Sequence, residues 1–155
     1  FLKMKHTLLS ASLVLLFSSC EEEIIDPPIN NPQFTCTVAG ESFEDNTPII
    51  DINVTDMMSI SVSDGTYDID FRIYNFSTIN ENEVVYFSVP SMGMVTSGSV
   101  TYSNFYQPPY DGQIVFTKKT TDTLSGTFNF KAQDVAVGSF LNINVKDGVF
   151  ENIIY

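Results

Sequence analysis

The chain has 155 residues and a net charge of −12 at pH 7, from 19 acidic and seven basic residues. Nucleic-acid binding needs clustered Lys and Arg, so this balance argues against a nucleic-acid partner. The one histidine, His6, lies in a segment that we expect to be removed. A His-based triad, metal site or general base is thereby excluded from the remaining chain.

The first 19 residues have the layout of a secretory signal peptide. Lys3 and Lys5 form a positive start, and residues 8–17 form an apolar run. Ser18 and Ser19 then lead into Cys20. The apolar run is shorter than the roughly 20 residues that span a bilayer, so the sequence predicts a cleaved signal rather than a retained membrane helix.

The four residues ending at Cys20, FSSC, resemble a bacterial lipobox, although Phe17 stands where Leu is usual. This resemblance implies that lipid is attached to the Cys20 thiol, that the chain is cut just before it, and that the protein is held on a membrane. More than one acyl chain makes such an anchor stable. The alternative is a cysteine near the cleavage site by chance.

Residues 20–32 are acidic and contain three prolines, which predicts an extended tether between the anchor and the folded domain. Glu21, Glu22 and Glu23 resemble the export signal of surface-exposed lipoproteins of the Bacteroidota. That resemblance implies an outer-membrane lipoprotein, on the cell surface rather than the periplasmic face. A solvated charge run is the alternative.

Residues 33–155 alternate between apolar and polar side chains, as expected for a single β domain. Phe34, Cys36 and Val38 form the first such strand, and Asp64-Gly65 predicts a hairpin. Residues 84–89 (VVYFSV) are the most apolar, and we expect them to form a central strand. The fold class is all-β, an antiparallel sandwich or barrel-like domain of roughly eight to ten short strands.

The carboxyl-terminal third continues this pattern. Residues 113–118 and 123–132 predict a hairpin, with Gly126 as a possible bulge. Asp147-Gly148 predicts a turn between two further strands. Cys36 fits a small core position, and it cannot form a disulfide with Cys20 if the latter carries lipid.

The same region resembles the closing pattern of small Bacteroidota lipoproteins grouped as a family of unknown function, and FTCTVAGESFED resembles their opening strand. The resemblance implies a lipoprotein with one β domain, and it implies no activity or cofactor. The residues that carry the closing pattern are Gly126, Thr127, Phe128, Phe130, Gly148, Phe150 and Tyr155.

Asp64, Asp68 and Asp70 form an acidic cluster whose oxygens could bind calcium. Their spacing does not match an EF-hand loop, and Asp68 and Asp70 fit the outer face of a strand. We therefore predict surface carboxylates and no metal site.

An aromatic segment carries the candidate ligand-binding residues Tyr102, Phe105, Tyr106 and Tyr110, with Asn104, Gln107 and Asp111 nearby. Flat rings beside amide and carboxylate groups suit a sugar-binding platform, and exposed aromatic clusters mark binding sites. The alternative is a long loop that folds over its own rings.

No pair of carboxylates lies in a distinctive motif, so the sequence predicts a protein that is not an enzyme and has no catalytic residues or cofactor. We expect a lipid-anchored binding or structural module outside the cytoplasm. Its partners would be the membrane, through Cys20, and a glycan or an envelope protein. The alternative is a glycan-binding accessory protein that uses the aromatic segment.

Overall fold

The computed structural model describes residues 33–105 and 111–155, and it is built from antiparallel strands. One short 3-10 helix, Phe76–Thr78, interrupts them. The strands are β1 Phe34–Val38, β2 Glu41–Asp45, β3 Ile49–Ile52, β4 Met57–Ser63, β5 Asp68–Tyr74, β6 Val84–Tyr86, β7 Met92–Ser97, β8 Val100–Ser103, β9 Gly112–Lys119, β10 Thr123–Asp134 and β11 Asn142–Ile154.

The strands form one curled sheet, a half-barrel, with the order β2-β1-β11-β10-β8-β7-β5-β4-β3. The sheet divides at β10, because the first part of this long strand pairs with β9 and its end pairs with β8. Strand β6 extends the β9 branch. The predicted all-β, antiparallel and barrel-like class is confirmed, with eleven strands in the described residues.

The Asp64-Gly65 hairpin is confirmed. Ser63 pairs with Asp68 at the end of the β4–β5 ladder, and Gly65 has a φ of +85°. The Asp64 carboxylate accepts hydrogen bonds from the backbone N–H groups of Thr66 and Tyr67, both at 2.8 Å. This side chain therefore closes the turn, as Asp commonly does.

The predicted turn at Asp147-Gly148 is wrong, because both residues lie inside the continuous strand β11. On β10, Phe128 and Phe130 are two residues apart, but their partners Gly148 and Val145 are three apart. The extra residue makes a β-bulge, and Asp147 has a φ of +53° there. Asp-Gly favours left-handed backbone in a bulge as well as in a turn, so the dipeptide alone does not separate the two.

The prediction of a central strand at residues 84–89 is also wrong. Only Val84–Tyr86 form a strand, and it pairs with β9 alone at an edge of the sheet. Val84 and Tyr86 are exposed, and Phe87 is the buried residue of this segment. The segment is apolar because it contains one core residue, Phe87, and exposed apolar residues, Val84 and Tyr86, in a strand at the edge of the sheet.

Phenylalanine rings fill the half-barrel. Phe34, Phe71 and Phe128 meet at its centre, with the Phe128 ring 4.8 Å from the centroid of each of the other two. All three are at most 3% exposed. Stacked and edge-on pairs of this kind contribute about 0.5–1.5 kcal/mol each beyond the area they bury.

Three glycines lie directly opposite phenylalanine residues of neighbouring strands. The pairs are Gly126 with Phe150, Gly148 with Phe128, and Gly112 with Phe130. A Cβ added at Gly148 would come within 2.5 Å of three atoms of the Phe128 ring, so only glycine leaves space for it. The motif glycines Gly126 and Gly148 therefore serve packing, as glycines covered by cross-strand aromatic rings do.

The 3-10 helix is fixed from two sides. The Asp56 carboxylate accepts hydrogen bonds from the Ser77 N–H at 2.9 Å and the Ser77 hydroxyl at 2.7 Å. The Lys119 ammonium donates to the carbonyls of Phe76 and Ile79 and lies 4.2 Å from the centre of the Phe76 ring. Burial lowers the pKa of Lys119, while Asp56 and Glu83 oppose that change.

Candidate functional site

A shallow groove of about 780 Å³ lies on the outer face of β9, β10 and β11. Its volume is within the range of ligand sites, about 300–1,000 Å³. The lining residues outside the core are Asp111, Gln113, Thr127, Asn129, Lys131, Asn144, Lys146, Asp147 and Val149. We call this hollow the outer groove.

Strand alternation explains why polar side chains meet there. On β10, Phe128 and Phe130 point into the core, so the odd-numbered residues between and beside them point outward. Asn129 lies opposite Gln113 of β9, and Lys131 lies opposite Asn144 of β11. Directly opposed residues have Cβ atoms about 4.5–5.5 Å apart, which brings these side chains into two short rows.

The bulge in β11 shapes the groove beside these rows. Lys146 and Asp147 together face the single residue Asn129 of β10. A bulge bends its strand and increases the local twist. Both residues are exposed, and the bulge therefore brings a cationic and an anionic side chain to the same wall.

Five polar side chains of the outer groove make no hydrogen bonds within the described part of the protein. In the part of the chain that the structure describes, no hydrogen bond involves the side chains of Gln113, Thr127, Asn129, Asn144 or Lys146. The groove thus offers three amides, one hydroxyl and the Lys146 ammonium group, whose hydrogen-bonding capacity is free for another molecule.

A second hollow, of about 400 Å³, differs in this respect. Its Asp45 carboxylate accepts bonds from the Ser63 N–H at 2.8 Å and the Thr47 N–H at 2.7 Å, which joins β2 to β4. The Ser61 hydroxyl donates to Asp70 at 2.6 Å. These groups are satisfied within the fold and hold its strands together.

A third hollow, of about 540 Å³, adjoins the outer groove. Asn144 and Lys146 line both, and Thr37, Ala39 and Gly40 line its far side at the end of β1. The polar surface therefore continues across β11, from β9 on one side to β1 on the other.

Two residues of the predicted aromatic platform, Tyr102 and Phe105, lie in the described part of the chain. Tyr102 lies opposite the buried Val95, so it faces inward, and it packs against the core. Phe105 is 40% exposed. Tyr106 and Tyr110 lie outside the described residues, so the predicted platform stays a prediction. Asp111, which follows it in sequence, lines the outer groove.

Asn104 is buried beside this segment. Its side-chain oxygen accepts a bond from the Gly93 N–H at 2.9 Å. Its amide nitrogen has no hydrogen-bond partner among the described residues. The Asn104 side chain therefore links the residue after β8 to β7 through its oxygen atom alone.

The acidic residues do not converge. Asp64 closes its turn, while Asp68 and Asp70 lie on β5, with Asp70 accepting from Ser61. Among residues 33–105 and 111–155, no three His, Cys, Asp or Glu side chains are arranged to hold a metal ion.

Cys36 is a free cysteine and 6% exposed, in the core position expected from its alternation with Phe34 and Val38. Burial, and then the charge of Asp64, raises the pKa of its thiol to about 12. A thiol with so high a pKa is a poor nucleophile at neutral pH. Cys20 and the Glu21, Glu22 and Glu23 triplet lie outside the described residues.

Sequence reasoning missed the outer groove, and the signal for it was weak. The outward positions of β10 and β11 are polar, as in any sheet with one face in water. What distinguishes Asn129, Asn144 and Lys146 is their register across two paired strands and the bulge beside them. Neither feature can be read from one strand at a time.

Within the described residues, no helix has the length and apolarity needed to cross a membrane. Comparison with curated proteins and with solved structures found no match. Comparison with family models found one over residues 30–154, with the family described as Domain of unknown function (DUF6252). That match includes the Gly–Phe pairs and every strand, and the chain is a member of the DUF6252 family.

Proposed function

We propose that this protein is a lipid-anchored, non-catalytic binding module that works outside the cytoplasm, on the outer membrane of a member of the Bacteroidota. The signal-like residues 1–19, the lipobox-like Cys20 and the tether of residues 20–32 support the anchor. The observation that carries the binding role is the outer groove, in which the side chains of Gln113, Thr127, Asn129, Asn144 and Lys146 make no hydrogen bond within the described residues.

The anchor is tested by growing cells with an alkyne fatty acid. Wild-type protein should take up the label and the Cys20→Ala variant should not. Cys36→Ala is the matched control, because Cys36 is a buried core thiol, and it should label like wild type. Equal labelling of wild type and Cys20→Ala would contradict the anchor.

Surface display is tested on the same cells by adding protease from outside. The acidic triplet Glu21, Glu22 and Glu23 favours exposure, so wild-type protein should be cleaved. Changing all three to Gln should protect it by leaving it on the periplasmic face. A wild-type protein that resists protease until the cells are broken would contradict surface display.

The non-catalytic role is supported by the sequence, in which no pair of carboxylates lies in a distinctive motif, and the groove combines amides, a hydroxyl and ammonium groups with two carboxylates. These groups suit hydrogen bonding to a ligand. Incubation of the purified protein with a broad polysaccharide panel should give no turnover. Product formation that follows the protein through purification would overturn this role.

A second candidate is a glycan-binding accessory protein that uses Tyr102, Phe105, Tyr106 and Tyr110. The exposed Phe105 ring and the position of Asp111 in the outer groove favour it. Phe105→Ala and Tyr110→Ala should weaken glycan binding if this segment makes the contacts. Unchanged binding in both variants would reject it.

A further inference from the structure

We propose that the outer groove binds a neutral, hydroxyl-rich oligosaccharide, with Asn129 and Asn144 as its central hydrogen-bonding residues. This inference rests on the proposed binding function and names its site and ligand class. It places the ligand on the outer face of β9, β10 and β11, away from the inward-facing Tyr102.

The mixture of donors and acceptors points to sugar hydroxyls. Each hydroxyl both donates and accepts a hydrogen bond, and each Asn or Gln amide does the same. Gln113, Asn129 and Asn144 supply three such amides, and Thr127 adds a hydroxyl. A ligand with many hydroxyls can satisfy all of these groups at once, whereas an apolar ligand would leave them desolvated and unpaired.

The charges of the groove favour a neutral ligand. Lys131 and Lys146 are balanced by Asp111 and Asp147 along its lining. The whole chain carries −12, so an acidic saccharide would meet a repulsive field on approach. Within the groove, two ammonium groups and two carboxylates leave no net charge to select a cationic ligand. An uncharged polyol needs no net charge in the groove, and its hydroxyls can bond to Lys146, Asp111 and Asp147.

The site is built on rigid elements. Asn129 and Asn144 lie on the two longest strands, and the residues beneath them, including Phe128 and Val145, are buried in the core. Positions on packed strands hold side chains more precisely than positions on loops. The neighbouring hollow, which shares Asn144 and Lys146, gives a longer saccharide room to continue toward β1.

The test is a binding assay with the full lipoprotein purified in detergent. The probes are neutral oligosaccharides of glucose, mannose and xylose, and heparin fragments as an acidic counterpart. At least one neutral series should bind. Asn129→Ala and Asn144→Ala should each weaken binding about fivefold to tenfold, the effect of one or two lost hydrogen bonds. Asn46→Ala, an exposed amide outside the groove, is the matched control and should bind like wild type.

The other outcomes separate this inference from the broader proposal. Tighter binding of heparin fragments, weakened by the same Asn variants, would overturn the neutral class and keep the binding function. Sugar binding that Phe105→Ala abolishes and the Asn variants do not change would overturn the site and keep a glycan role. Absence of binding to every saccharide would overturn the inference, while fatty-acid labelling still tests the anchor. Circular dichroism confirms that each variant keeps its β fold.

Discussion

Substituting Gly148 by Ala tests the packing account of the family motif. The added methyl group would come within 2.5 Å of three carbon atoms of the Phe128 ring, closer than real contacts allow. Phe128 must then move, and it packs at 4.8 Å against both Phe34 and Phe71. Overpacking costs about 1–3 kcal/mol, and the displaced ring weakens two aromatic pairs at about 0.5–1.5 kcal/mol each.

We therefore expect Gly148→Ala to lower the free energy of unfolding by about 3 kcal/mol, a large part of the roughly 5–15 kcal/mol typical of a domain. Urea unfolding followed by circular dichroism measures it, since the chain has no Trp. Gly93→Ala is a graded control, because its Cβ would lie 3.2 Å from the Phe130 ring, and it should lose about 1 kcal/mol. In the double variant Phe128→Leu/Gly148→Ala, the losses should be less than additive. A loss below about 0.5 kcal/mol in Gly148→Ala would refute the reasoning.

Three further predictions concern the residues that fix the fold. Lys119→Met should lower the free energy of unfolding in urea by about 2 kcal/mol, because the charged hydrogen bonds to the Phe76 and Ile79 carbonyls are removed. The control Lys118→Met should lower it little, since Lys118 donates only to the exposed Asn152. Equal losses in the two variants would contradict this role of Lys119. Hydrogen bonds from Ser77 lower the pKa of Asp56. The ionised Asp56 carboxylate therefore stabilises the fold fully above its ordinary pKa, and this stabilisation is lost as the pH falls through the pKa of Asp56 in the folded protein. Asp56→Asn should therefore be less stable than wild type at pH 7, and the gap should close as the pH falls through the folded pKa of Asp56; a gap that does not narrow in acid would contradict the linkage. Cys36 should resist thiol reagents in native Cys20→Ala protein and react after unfolding, and rapid native labelling would contradict its burial.

Much of the fold could be predicted because the half-barrel has one buried face. Alternation placed Phe34, Cys36 and Val38 inward, and the Asp64-Gly65 turn fixed a hairpin. The errors arose where one local signal fits two structures. Asp147-Gly148 suits a turn or a bulge, and the neighbours of the strand decide which forms.

The outer groove could not be predicted from the sequence for a related reason. The aromatic segment was predicted to bind a ligand because its rings are clustered in sequence. Tyr102, however, pairs with the buried Val95 and therefore faces the core. The outer groove is made by residues of three strands that are ordinary surface polar residues when taken singly. Pairing between strands, which depends on long-range contacts, brings Asn129 and Asn144 to one surface.

Hydrogen exchange of the full lipoprotein, with and without a bound oligosaccharide, tests the central claim most directly. We predict slower exchange in peptides covering residues 127–131 and 144–149, which line the outer groove. Peptides covering residues 61–63, at the internally satisfied hollow, should be unchanged. Protection at residues 61–63 with none along β10 and β11 would contradict the claim that this protein is a binding module built on the outer face of its longest strands.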